Sequence, residues 1–189
     1  DRDVELLGQT VAGVFNLEMK ASEEMLEVAL QIVPDMCTLV PEGEGELTTQ
    51  GGLDVMADET ALREGIARLR EAGIVVSLFI DPDVVQVERA KAVGAPIVEL
   101  HTGIYADASE PDDIARELEK IRVAAIAATE MGLLAHGGHG LTYRNIQPIA
   151  AIREIGEVSI GHSIVSRAVL VGMDIAVREM AALLDVEEE

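Results

Sequence analysis

From end to end the chain alternates short apolar runs with longer stretches of helical period, and that alternation is the signature of consecutive parallel βα units. The spacing predicts strands at Val14–Met19, Met36–Pro41, Ile74–Ile80, Pro96–His101, Leu133–Gly137 and Glu157–His162. Between them, Leu62, Ile66 and Leu69 form one helical stripe. Ile114, Leu118, Ile121, Ala125 and Ala128 form another, with Arg116, Glu119 and Lys120 turned away. Ile164, Ala168, Val171 and Ile175 predict one last helix. Gly73, Gly94 and Gly132 stand just before predicted strands, where the end of a helix calls for a left-handed residue.

Six parallel strands suit either an open doubly wound sheet or a barrel. No Gly-x-Gly-x-x-Gly turn follows any strand, so a dinucleotide-binding sheet has no support. Polar residues instead recur at one strand end after another: Glu18, Thr38, Asp81, Glu99 with His101, His139 and His162. A TIM barrel places its site at those ends. The expected fold is therefore α/β, a TIM (β/α)8 barrel, with residues 1–189 as a single domain. Closure needs eight strands, and the opening Asp1-Arg2-Asp3-Val4-Glu5-Leu6-Leu7 reads as a helix already under way. Two βα units are expected ahead of Asp1, leaving about six of eight here.

Composition narrows the function. Of 189 residues, 49% are hydrophobic, enough for one sizeable core. No apolar run reaches the ~18 positions of a membrane helix, so no membrane partner is expected and a cytoplasmic protein is. Cys37 is the single cysteine and lies in an apolar run, which predicts a buried thiol. Thirty-five acidic against 14 basic residues give a formal charge of −21, which argues against nucleic acid. The same charge repels small phosphorylated substrates at long range, so a phosphate site must use local donors such as backbone N–H groups at helix starts.

Several residues can carry chemistry. A period of two puts Asn16 and Glu18 on the inner face of their strand, where a desolvated Glu18 would titrate closer to neutrality and serve as a general base. Glu99 and His101 share a face of another strand. Three glycines surround His139 in Gly137-Gly138-His139-Gly140, so backbone N–H groups there can approach a ligand. Ser159-Ile160-Gly161-His162-Ser163 ends the last strand and opens the last helix, and loops at this position form the recurrent phosphate site of the barrel. Glu99, His101, His136, His139 and His162 also offer a metal-binding set, although no His-x-His or His-Glu-x-x-His spacing is present. A metal-dependent lyase or hydrolase is the alternative reading.

Asn16-Leu17-Glu18-Met19, Leu39-Val40-Pro41-Glu42, Leu47-Thr48-Thr49-Gln50-Gly51-Gly52-Leu53-Asp54-Val55, Ser77-Leu78-Phe79-Ile80-Asp81, Glu99-Leu100-His101-Thr102-Gly103, Gly138-His139-Gly140-Leu141-Thr142-Tyr143 and Ile160-Gly161-His162 follow one another in order. Together they resemble the pyridoxine 5′-phosphate synthase family. The resemblance implies condensation of 3-amino-2-oxopropyl phosphate with 1-deoxy-D-xylulose 5-phosphate, giving pyridoxine 5′-phosphate, phosphate and water, with no metal or organic cofactor. It implies Glu18 as base, His139 as proton donor and Glu99 as the group stabilising the transition state. It further implies Thr48 as a contact to the sugar phosphate, and Gly140, Gly161 and His162 as contacts to the amino-oxopropyl phosphate. It implies a homo-oligomer, an octamer of barrels. His136 and Gly137 depart from the Asn-Ala that the family usually shows there, and the family's Asn-x-Asp-His and His-x-Arg motifs do not occur in these residues. Without those motifs, an inactive barrel fragment is a further alternative.

Overall fold

The computed structural model describes residues 2–41 and 51–185. Six strands, β1 (Asn16–Lys20), β2 (Met36–Val40), β3 (Val75–Ile80), β4 (Ile97–His101), β5 (Leu134–Gly138) and β6 (Ile155–Ser159), pair in parallel in the order of the sequence. A doubly wound sheet reverses its strand order at a switch point, whereas sequential parallel order with helices between the strands is that of the TIM-barrel type. Among the described residues β1 and β6 each have one strand partner.

Helices α1 (Arg2–Thr10), α2 (Glu23–Ile32), α3 (Glu59–Glu71), α4 (Val84–Val93), α5 (Gly103–Asp107), α6 (Pro111–Glu130), α7 (Ile146–Ala150), α8 (His162–Val171) and α9 (Met173–Ala181) complete the fold. Ser22, Asp58 and Asp83 cap α2, α3 and α4 by accepting backbone N–H bonds in the first turn. Gly73, Gly94 and Gly132 have φ of +85°, +94° and +75°, so each helix end turns as the sequence predicts. The apolar stripes of α3 and α6 meet the outer face of the sheet: Leu62, Ile66, Leu69, Ile121, Ala125 and Ala128 join one core with Leu39, Val76, Leu78 and Val98. Cys37 is fully buried, and burial pushes its thiol up to about 12. Among the described residues no helix is long and apolar enough to cross a membrane.

Two expectations are corrected. The last strand is Ile155–Ser159, starting two and ending three residues earlier than Glu157–His162. Ala135 pairs with Ile155 while His136 pairs with Glu157, so Gly156 forms a bulge that interrupts the apolar pattern and sets Ser159 opposite Gly138. His162 is consequently the first residue of α8 rather than the end of a strand. The single last helix is two, because Gly172 (φ +87°, ψ 154°) breaks the backbone between α8 and α9. The helical period of Ile164 to Ile175 runs straight through that break.

Candidate active site

At the C-terminal ends of the strands lies a cavity of about 940 Å³ whose lining includes Glu18, Phe79, Glu99, His139, Gly140, Ser159, Gly161 and His162. Six of the seven residues that the sequence singled out for catalysis or substrate contact thus converge. The seventh, Thr48, lies outside the described residues, as does the segment around it. Among the described residues no Lys or Arg lines the cavity. An anion here would rest on N–H donors: α8 starts at its wall, and the first N–H groups of a helix have no partner within it. Ser163 Oγ donates to the Leu141 carbonyl at 2.9 Å, fixing the start of α8 against the turn after β5.

The two carboxylates differ in environment. Glu18 is exposed, contrary to the expected desolvation, because β1 stands at the edge of the described sheet. The desolvated carboxylate is Glu99, 3% exposed on the interior strand β4. Burial pushes its carboxyl up to about 7, the charges of Glu18 and Glu157 add to the effect, and the Ser159 side chain opposes it. A group titrating near neutrality in a cleft is suited to proton transfer or to stabilising developing charge.

His139 is held by its backbone. Its φ of +81° is rare for a residue with a side chain, and Gly140 follows at +74°. Thr102 fastens this turn: its hydroxyl donates to the Gly138 carbonyl at 2.7 Å, and its N–H donates to the same oxygen at 2.8 Å. The His139 ring lies 5.1 Å from the His101 ring, centroid to centroid, and 6.5 Å from that of Phe79. His101 and His136 are buried, and burial lowers the pKa of both. Among the described residues no three His, Cys, Asp or Glu side chains group as metal ligands. Sequence reasoning gave Phe79 and Thr102 no part in the site, and placed Ser159 in the phosphate segment without linking it to Glu99. Thr102 had a signal, since it directly follows His101 at a strand end, but its partners lie 36 and 37 positions away.

Known proteins share this arrangement of chain. A family model described as pyridoxal phosphate biosynthesis protein PdxJ matches residues 1–186. The pyridoxine 5′-phosphate synthase of Syntrophotalea carbinolica is 55% identical over 97% of this chain and 77% of its own length. That of Geobacter sulfurreducens is 53% identical over the same shares. Among solved structures, a 3-keto-L-gulonate-6-phosphate decarboxylase from Vibrio cholerae superposes with a TM-score of 0.65 at 13% identity, covering 97% of this chain and 78% of its own. That likeness speaks for the fold alone. With residues 1–186 matched and more than half the aligned positions identical to these relatives, the chain belongs to the pyridoxal phosphate biosynthesis protein PdxJ family.

Proposed function

We propose that this protein is a pyridoxine 5′-phosphate synthase, an enzyme of vitamin B6 synthesis that condenses 3-amino-2-oxopropyl phosphate with 1-deoxy-D-xylulose 5-phosphate to pyridoxine 5′-phosphate, phosphate and water. The observation that carries the reading is the meeting of Glu18, Glu99, His139 and the start of α8 in one cavity, in a chain of this family. Schiff-base formation, loss of phosphate, ring closure and dehydration all move protons, so the reaction needs several acid and base groups around the condensing carbons. Glu18 is the base, on the open side of the cavity. His139 is the proton donor, and Glu99 stabilises charge that develops in the transition state. Gly140, Gly161 and His162 hold the amino-oxopropyl phosphate through N–H donors at the start of α8 and the turn after β5, and Thr48 contacts the sugar phosphate.

The chemistry proceeds without a metal or organic cofactor, in the cytoplasm, in a homo-oligomer that the family resemblance makes an octamer. Small phosphorylated molecules are the ligands, and neither nucleic acid nor membrane is a partner. The test is to incubate the full-length natural protein with both substrates and follow pyridoxine 5′-phosphate and released phosphate together. Equimolar formation supports the reading, and neither product refutes it.

A further inference from the structure

At the C-terminal ends of β3 and β4 the fold brings Asp81 and His101 together across 20 positions. Asp81 Oδ1 accepts the Gly52 N–H at 2.8 Å and stands 3.2 Å from His101 Nδ1. An ionised carboxylate only accepts, so Nδ1 is the ring nitrogen that carries hydrogen. His101 is 4% exposed, and its burial lowers its pKa, which favours the neutral ring. Nε2 is then a bare acceptor. It is buried and has no hydrogen-bond partner among the described residues. A buried acceptor left in this way calls for an explanation.

Its surroundings supply one. The His101 ring is wedged between Phe79, edge-on at 5.2 Å and 64°, and His139 at 5.1 Å and 60°. Gly103 leaves just enough room for this contact, since a Cβ there would overlap His101 Nε2 and sit 2.9 Å from His139 Cδ2. Nε2 and one edge of the His139 ring therefore both face Gly103. His101 does not line the cavity, so its action passes through His139.

We propose that Asp81 and His101 form a positioning dyad for His139. Asp81 fixes the tautomer and rotamer of His101, and the fixed ring sets the face that His139 turns to the cavity. The same Asp81 oxygen ties Gly52 to the end of β3, aided by the Leu53 N–H donating to the Phe79 carbonyl at 2.7 Å. One exposed carboxylate thus braces both the wall behind His139 and the backbone at Gly52 and Leu53. The proposal rests on the acid role given to His139 above.

Two measurements on the full-length natural protein test it. Long-range ¹H–¹⁵N NMR at pH 7 should show His101 as a single neutral tautomer with hydrogen on Nδ1, retained in Asp81→Asn, whose amide oxygen still accepts, and mixed in Asp81→Ala. In steady-state assays Asp81→Ala and His101→Phe should each lower kcat roughly 10-fold with KM within about twofold, and Asp81→Asn should stay near wild type. The double variant Asp81→Ala/His101→Phe should also lose roughly 10-fold rather than 100-fold, because the pair acts as a unit. Hydrogen on Nε2 in the wild type overturns the dyad, as do additive losses or a kcat within twofold of wild type in Asp81→Ala. Asp81 is half exposed, so its variants decide the matter even where His101→Phe fails to fold. A wild-type protein that makes no product overturns the functional reading alone, and the tautomer spectra then decide the dyad.

Discussion

The Glu99 carboxylate fills the place where Gly138 would carry a side chain: a Cβ on Gly138 would overlap Glu99 Oε1 and lie 3.1 Å from the carboxyl carbon. The two residues come from neighbouring strands, with Gly138 paired to His101 and Glu99 paired to His136. A glycine stands before His139 to make room for the buried acid beside it, as well as to let backbone approach a ligand. Gly138→Ala should therefore push Glu99 out of position, destabilise the fold by about 1–3 kcal/mol and lower kcat by at least 10-fold. Thermal unfolding and steady-state kinetics on the same sample check it, and an unaltered kcat would contradict it.

Glu99 should also leave a signature in stability against pH. Its carboxyl titrates at about 7 when folded and at the ordinary 4.5 when unfolded. Between those values the folded chain holds a proton that the unfolded chain has lost, so this contribution is fully present below 4.5 and is lost as pH rises through 7. The loss is about 3 kcal/mol. Glu99→Gln lacks that titration, so its stability relative to wild type should grow with pH: close at pH 5, several degrees higher in Tm at pH 8. Parallel melting curves at the two pH values would show it.

Gly161 offers a way to separate phosphate binding from folding. Nothing lies within 4 Å of a Cβ on it, and its φ of −114° lies outside the left-handed region that favours glycine. Gly161→Leu should leave Tm within a degree or two, yet cover the N–H donors that open α8. Calorimetric titration should show binding of the amino-oxopropyl phosphate weakened about 10-fold, more than that of the sugar phosphate. Equal losses for both ligands would contradict the assignment of that phosphate to α8.

The sheet should be least protected at its sides. Among the described residues β1 and β6 each have one strand partner, and α8, which follows β6, buries no residue, with Val169 and Leu170 about four-fifths exposed. β3 and β4 lie between two strands each and are buried almost throughout. Hydrogen exchange on residues 1–189 should find the amides of β1 and β6 exchanging at least 100-fold faster than those of β3 and β4. Uniform protection across the six strands would contradict the strand order described here.

Much of this was legible because parallel strands buried on both faces read as plain apolar runs. β2 to β5 each lie within one residue of their expected ends for that reason. β6 was misplaced where Gly156 bulges and Glu157 interrupts the run, so neither periodicity nor burial marked its start. The short α5 and α7 carry too few turns to show a helical period. Among the site residues, strand position alone put Glu18, Glu99 and His139 at one end of the barrel. It could not say which carboxylate is desolvated, since that depends on whether a strand has neighbours on both sides: among the described residues β4 does and β1 does not. The Asp81–His101 contact was hidden for a related reason, being made between residues 20 positions apart at the ends of neighbouring strands.

If Glu18, exposed at the cavity's open side, is the base of a condensation that joins two phosphorylated substrates, turnover depends on its carboxylate. The most direct measurement compares the full-length natural protein with its Glu18→Gln variant, quantifying pyridoxine 5′-phosphate formed from 3-amino-2-oxopropyl phosphate and 1-deoxy-D-xylulose 5-phosphate, with calorimetric titration of each substrate alongside. The wild type should form product, and kcat should fall at least ~10²-fold in the variant with both substrates still bound about as tightly. Turnover in Glu18→Gln within a few-fold of wild type would contradict it.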